Sequence, residues 1–240
     1  MDMLFILAVG MVAGTIGGIV GFGSSILLMP VLVIVYGPLQ AVPIMAIAAI
    51  LANASRIAVW WREVDWRAAA AYAITGVPAA VGGARTLLIL PPQWVETGLG
   101  VFFLAMIPLR RWLASHKLKL QLWHLAVIGA GVGYLTGIVA TTGPLTAPIF
   151  LAHGLVKGAF IATEAAASLA VYVGKAVAFR SFGALPADAV ARGLLVGASL
   201  MAGAIVAKRF VLKLDASQFR LLMDALMLLS GATLLWTTLR

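Results

Sequence analysis

Long apolar runs separated by short polar connections dominate the chain, and they place helical segments at about 3–22, 25–36, 39–61, 67–90, 94–113, 122–140, 144–153, 158–179, 187–207 and 217–239. Most reach the roughly 20 residues that a helix needs to span a bilayer. Segments 25–36 and 144–153 fall short. Each follows a break, Gly21-Phe22-Gly23-Ser24-Ser25 in the first case and Thr141-Thr142-Gly143-Pro144 in the second. Each also carries proline, Pro30 in one and Pro144 and Pro148 in the other. Non-helical backbone at membrane depth persists only where protein or a wet cavity satisfies its polar groups. Each pair of segments is therefore either two crossings, one of them short, or a re-entrant hairpin, and both return the chain to the side it left. The predicted fold is an all-α polytopic membrane protein with eight full-length spans and two short ones.

Composition agrees. Of the 240 residues 63% are hydrophobic and 10% charged, where a soluble domain carries about 25% charged residues. So few charges leave most of the outside to face lipid. The net charge of +9 sits in short clusters between apolar runs, the pattern of cytoplasmic loops, and no basic, aromatic-interleaved patch for nucleic acid exists. Cysteine is absent, which removes disulfides, thiol catalysis and thiolate metal sites. No HExxH, no GxSxG and no Asp pair within a span supports an enzyme, and no GxxxxGK[ST] loop supports ATP as a driver. No cofactor or metal is expected. The apolar start Met1–Gly14 has no basic leader and is expected to be the first membrane segment rather than a signal peptide.

Taking the 110–119 connection, with Arg110, Arg111, Lys117 and Lys119, as cytoplasmic places Arg62, Arg67, Lys157, Lys208, Arg209 and Lys213 on that side too. Arg180 and Arg240 remain opposite. Reading 3–36 and 122–153 as single crossings moves Lys208, Arg209 and Lys213 outside and fits the positive-inside bias worse. Both termini are thus expected outside the cytoplasm of a multi-pass cell-membrane protein.

The chain repeats itself. Gly10, Gly14 and Gly18 recur as Gly129, Gly133 and Gly137, 119 positions later. Pro30, Gly37 and Ala41 match Pro148, Gly154 and Gly158, and Gly76 and Gly82 match Gly197 and Gly203. The halves run 1–119 and 120–240 with about five segments each. An odd number of crossings inverts the second copy, a plan secondary transporters use to place substrate at broken helices near the midplane. The glycine spacing alone also arises wherever membrane helices pack closely.

At these residues the chain resembles the TauE/SafE family of membrane proteins, described as sulfite exporters. The likeness rests on Gly14-Thr15-Ile16-Gly17-Gly18-Ile19-Val20-Gly21-Phe22-Gly23-Ser24-Ser25, on Leu28-Met29-Pro30-Val31-Leu32, and on a weaker copy from Gly133 to Pro148-Ile149-Phe150-Leu151. The connection Trp61-Arg62-Glu63-Val64-Asp65-Trp66-Arg67 resembles the family's polar link after the third segment. Gly23-Ser24-Ser25 stands where the family commonly has three glycines, and Ala140-Thr141-Thr142 replaces most glycines of the second copy. The resemblance implies export or uptake of small sulfur-containing or organic anions.

The residues give their own reasons for an anion site. Helices starting inside the membrane near Ser25 and Pro144 present unpaired N–H groups and a positive dipole end to the midplane. Gly21, Gly23 and Gly143 let backbone approach a ligand, and Ser24, Ser25, Thr141 and Thr142 add hydroxyls; those hydroxyls equally serve to satisfy freed carbonyls. Ionisable side chains within spans are functional candidates. Glu164, with Ser168 and Lys175 on its stripe, is the candidate carrier of a coupling proton. Asn53 and Arg56, three positions apart on one face, and Lys175 are candidate substrate contacts. The expected partner is a small anion moved with protons by a secondary transporter. An anion channel of the same architecture and an importer of small carboxylates are the alternatives.

Overall fold

A computed structural model of the chain describes residues 2–20, 23–116, 119–207 and 216–238. Its helices are α1 (Asp2–Val20), α2 (Gly23–Tyr36), α3 (Pro38–Trp60), α4 (Trp66–Ile89), α5 (Pro92–Ser115), α6 (Leu122–Ile138), α7 (Gly143–Ala152), α8 (Lys157–Ser181), α9 (Ala187–Ala207) and α10 (Ala216–Thr238), with a 3-10 turn at Trp61–Glu63. No strand occurs among the described residues. The ends follow local chemistry. The Asp65 carboxylate caps α4 by accepting from the Arg67 and Ala68 N–H groups, each at 3.0 Å, and Gly37 at φ 73° makes the turn from α2 into α3. Among the described residues four helices are long and apolar enough to cross a membrane alone, in α3, α4, α8 and α9, and shorter apolar helices lie in α1, α2, α6, α7 and α10.

Glycines set how the helices run. Gly10 abuts Ser199 and Gly14 abuts Leu200, while Gly203 abuts Met11 and Thr15, so α1 runs beside α9 in the same direction. Gly129 abuts Tyr72, Gly133 abuts Gly76 and Gly137 abuts Gly83, so α6 runs beside α4 likewise. A Cβ at Gly10 would meet the Ser199 side chain and one at the others the neighbouring backbone, which is the close-packing role that small residues hold in membranes. Helix α9 also parallels α3, through Gly193 on Ile47 and Gly197 on Leu51. Helix α10 opposes α5: Gly100 abuts Leu235, and Arg111 Nε donates to Asp224 Oδ2 at 2.9 Å.

The two short helices turn back. Arg192, near the start of α9, lies over the Tyr36 ring at 4.8 Å, so α2 ends on the side where α1 begins. Just before α6, the Leu120 N–H donates to the Ala152 carbonyl at 3.0 Å, and His153 Nδ1 bonds the Leu120 carbonyl at 2.8 Å. Helices α1–α2 and α6–α7 are thus hairpins, and the single-crossing reading of 3–36 and 122–153 does not hold. From these contacts α4, α6, α8 and α10 start on one face, and α1, α3, α5 and α9 start on the other.

The surface is inside out relative to a soluble fold. Leu4, Phe5, Ile74, Ile89, Val127 and Leu229 are exposed, whereas Asn53, Thr163, Glu164 and Lys175 are buried. Exposed Trp60, Trp61, Trp66, Trp112 and Trp123 gather at the face where α4 and α6 start, and Trp94 and Trp236 lie at the other, in the manner of interfacial belts.

Candidate functional site

The breaks bring distant residues together. Gly17 seats α2 against α1: a Cβ there would lie 2.7 Å from Ser24 Cβ. In the second hairpin Pro144 occupies the first turn of α7, where its missing N–H is no loss. That helix has 10 residues, about 15 Å at 1.5 Å per residue. Gly143 therefore lies about half-way into a ~30 Å hydrocarbon core.

Ser24, Ser25, Asn53, Arg56, Thr141, Gly143, Glu164, Ser168 and Tyr172 line one narrow cleft between α2, α3, α7 and α8, floored by Ala49 and Ala52. Its centre is an ion pair. Arg56 Nη1 donates to Glu164 Oε2 at 3.1 Å, with the side chains 14% and 4% exposed. A second guanidinium nitrogen donates to Asn53 Oδ1, and Asn53 Nδ2 donates to the Ala49 carbonyl at 2.8 Å, which turns the amide oxygen toward Arg56. The other carboxylate oxygen, Glu164 Oε1, accepts from Thr146 Oγ1 at 3.0 Å and Ser168 Oγ at 2.8 Å.

The structure brings Ser24, Ser25, Asn53, Arg56, Thr141, Gly143 and Glu164 to one cleft. Thr142 is different: its buried hydroxyl pairs with that of Thr136 at 2.6 Å and joins α6 to the break. Gly23 opens α2. Gly21, Lys117, Lys208, Arg209, Lys213 and Arg240 lie outside the described residues. The expectation of unpaired N–H groups at the start of α7 is corrected. The Gly143 N–H reaches Thr141 Oγ1 at 3.3 Å, and Leu145 and Thr146 donate to the Thr142 carbonyl at 2.8 and 3.0 Å. Side chains, not bare backbone donors, make this edge of the cleft.

Lys175 stands apart from the cleft lining. It is fully buried, donates to the carbonyls of Thr136 and Val139 at the end of α6, and faces the rings of Tyr172 and Phe179 at 6.0 and 5.6 Å. Sequence reasoning missed Thr146, Tyr172 and the pairing of Arg56 with Glu164. A buried acid and a buried base in different spans are each other's natural partner, and that was the available signal. Among the described residues no group of acidic or histidine side chains is arranged to hold a metal.

A family model described as Sulfite exporter TauE/SafE matches residues 6–234. No curated protein and no solved structure matches the chain.

Proposed function

The chain belongs to the sulfite exporter TauE/SafE family, whose members are transporters, and from that premise we propose that it is a secondary transporter exporting sulfite, organosulfonates or related small anions across the cytoplasmic membrane. One observation carries the reading: the Arg56 guanidinium stands in a cleft where both helical hairpins meet, a cleft lined also by Ser24, Ser25 and Thr141. A planar fork of donors with hydroxyls beside it matches the clustered oxygens of a sulfite or sulfonate head.

The packing supports reading 1–119 and 120–240 as inverted copies. The contact of α1 with α9 has its counterpart in α6 with α4, and that of α3 with α9 in α8 with α4. Helices α3 with α8, and α5 with α10, pair across the halves. A rocking exchange of two such halves around the cleft is how alternating access works in this plan. The side carrying Arg62, Arg67, Arg110, Arg111, Lys119 and Lys157 is the cytoplasmic one under the positive-inside bias, which puts both ends of the chain outside.

Uptake into proteoliposomes, across a panel of sulfite, sulfonates, thiosulfate and small carboxylates and with or without a pH gradient, tests the proposal. Flux of a sulfur oxyanion that Arg56→Gln strongly weakens is the expected result. Indifference to every anion overturns it.

A further inference from the structure

Glu164 holds Arg56 with one oxygen and spends the other on two hydroxyls, and this division suggests how the cleft takes its cargo. Resting on the anion-transport reading above, we propose that Arg56 changes partners, from the Glu164 carboxylate in the empty cleft to the transported anion, and that each anion is admitted with one proton taken up at Glu164 Oε2.

Charge makes the first part of the case. Arg56 and Glu164 together are neutral and nearly sealed, with the side chains 14% and 4% exposed. An anion entering beside an intact pair would leave the buried cleft with an uncompensated negative charge, which a low-dielectric interior resists strongly. One proton on Glu164 restores neutrality and frees the guanidinium for the newcomer.

Geometry makes the second part. Oε1 is committed to Thr146 and Ser168, whereas Oε2 meets Arg56 Nη1 at 3.1 Å. A proton therefore arrives at Oε2, where it displaces the guanidinium N–H and leaves the Thr146 and Ser168 bonds in place. Asn53 keeps its hold on Arg56 from behind, so the freed nitrogen stays in the cleft beside Ser24, Ser25 and Thr141. The proton comes from water and leaves to water as the anion departs; no other bond is made or broken.

The surroundings of Glu164 are spare. Arg56 faces it from α3, Tyr72 acts on it from α4, Tyr172 from α8 itself, and α7 offers the Thr146 hydroxyl. Asp65, whose N–H donates to the neighbouring Thr163 hydroxyl at 2.9 Å, has its carboxylate turned to the start of α4, and the Glu63 carboxylate lies against Gly158. Glu164 is the carboxylate placed to exchange Arg56 for a proton.

Proton and anion then help each other bind, by equal factors. With one proton taken up per anion, anion affinity falls about tenfold per unit rise in pH, and proton and anion travel in the same direction. A monovalent anion moves without net charge, and the combined gradients set the direction, so export proceeds when the outward anion gradient exceeds the inward proton gradient.

The test uses methanesulfonate, which stays a monoanion across the working range, and sulfite as a second probe, with the full chain in liposomes carrying a luminal pH dye. Wild type is expected to accumulate methanesulfonate uphill from an acidic bath and to bring in one proton per anion. Glu164→Gln, a near-isosteric neutral side chain, is expected to exchange labelled for unlabelled anion at a rate independent of pH, with no proton movement. Glu164→Asp is expected to restore the pH slope. Anion flux in wild type with no proton counted overturns the exchange of partners while leaving the transporter reading intact, and so does a pH gradient that still drives Glu164→Gln. Failure of wild type to move either probe overturns both.

Discussion

Lys175 donates its ammonium to the Val139 carbonyl at 2.7 Å from a position without solvent access. The carbonyl of Thr136 receives a second bond from the same nitrogen. A helix ending inside the protein leaves its last carbonyls without partners, and a cation there satisfies them and complements the negative dipole end. Tyr172 completes the arrangement by donating to the Ala140 carbonyl at 3.1 Å. Lys175 is thus built into the break in α6 as its cap, and the candidate substrate role assigned from sequence is tested by the following variant.

Lys175→Met leaves the Thr136 and Val139 carbonyls buried and unmet. Each orphaned group costs about 1–3 kcal/mol, offset in part because a buried ammonium no longer needs shielding. The expected outcome is a loss of about 1–3 kcal/mol of stability in detergent unfolding, with anion affinity of the folded fraction within about twofold of wild type. Unchanged stability with affinity lost would make Lys175 a substrate contact instead.

Arg56→Gln removes the cation that carries the anion reading. A charged hydrogen bond is worth about 1.5–3 kcal/mol, so apparent affinity for the transported anion is expected to fall about 10- to 100-fold. The variant also strands the buried Glu164 carboxylate, which destabilises by about 3–5 kcal/mol when one partner of a buried pair is lost. Arg56→Gln combined with Glu164→Gln separates the two effects: stability should recover and transport should not. Recovery of transport in the double variant would remove Arg56 from the site.

Much of this was legible in the sequence because the physics was local. Apolar length and the prolines at Pro38, Pro92 and Pro144 fix where α3, α5 and α7 begin, and the midpoint breaks are marked by Gly23 and Gly143. Asn53 and Arg56 sit three positions apart, so a helix must put them on one face. The meeting of Arg56 with Glu164, 108 positions away, depends on how α3 packs against α8, and no periodicity in either helix encodes that. Nor could the sequence divide Thr141 from Thr142: one lines the cleft and the other bonds Thr136 because successive side chains at a break point different ways.

Gly133 and Gly131 share α6 but not an environment. A Cβ at Gly133 would collide with the Gly76 backbone, whereas at Gly131 nothing lies within 4 Å. Gly133→Ala must push α6 from α4, and overpacking of this kind costs about 1–3 kcal/mol. Gly131→Ala removes backbone freedom from the unfolded chain and is expected to be neutral or to stabilise by up to about 1 kcal/mol. Thermal unfolding of the two variants in the same detergent checks the difference, and equal effects would mean that α4 and α6 do not pack backbone to backbone.

The natural absence of cysteine makes the sidedness of the fold directly measurable. Arg62 follows α3 and Phe182 follows α8, and both are exposed. Helices α3 and α8 start on opposite faces, so these two positions end on opposite faces whatever the membrane orientation. With the basic connections inside, Phe182→Cys is expected to react with an impermeant maleimide in intact cells, and Arg62→Cys only after permeabilisation. The reverse pattern would keep the fold and invert its orientation. Labelling of both from one side would contradict the packing of α3 along α9, because α8 leads directly into α9 and so must run opposite to α3.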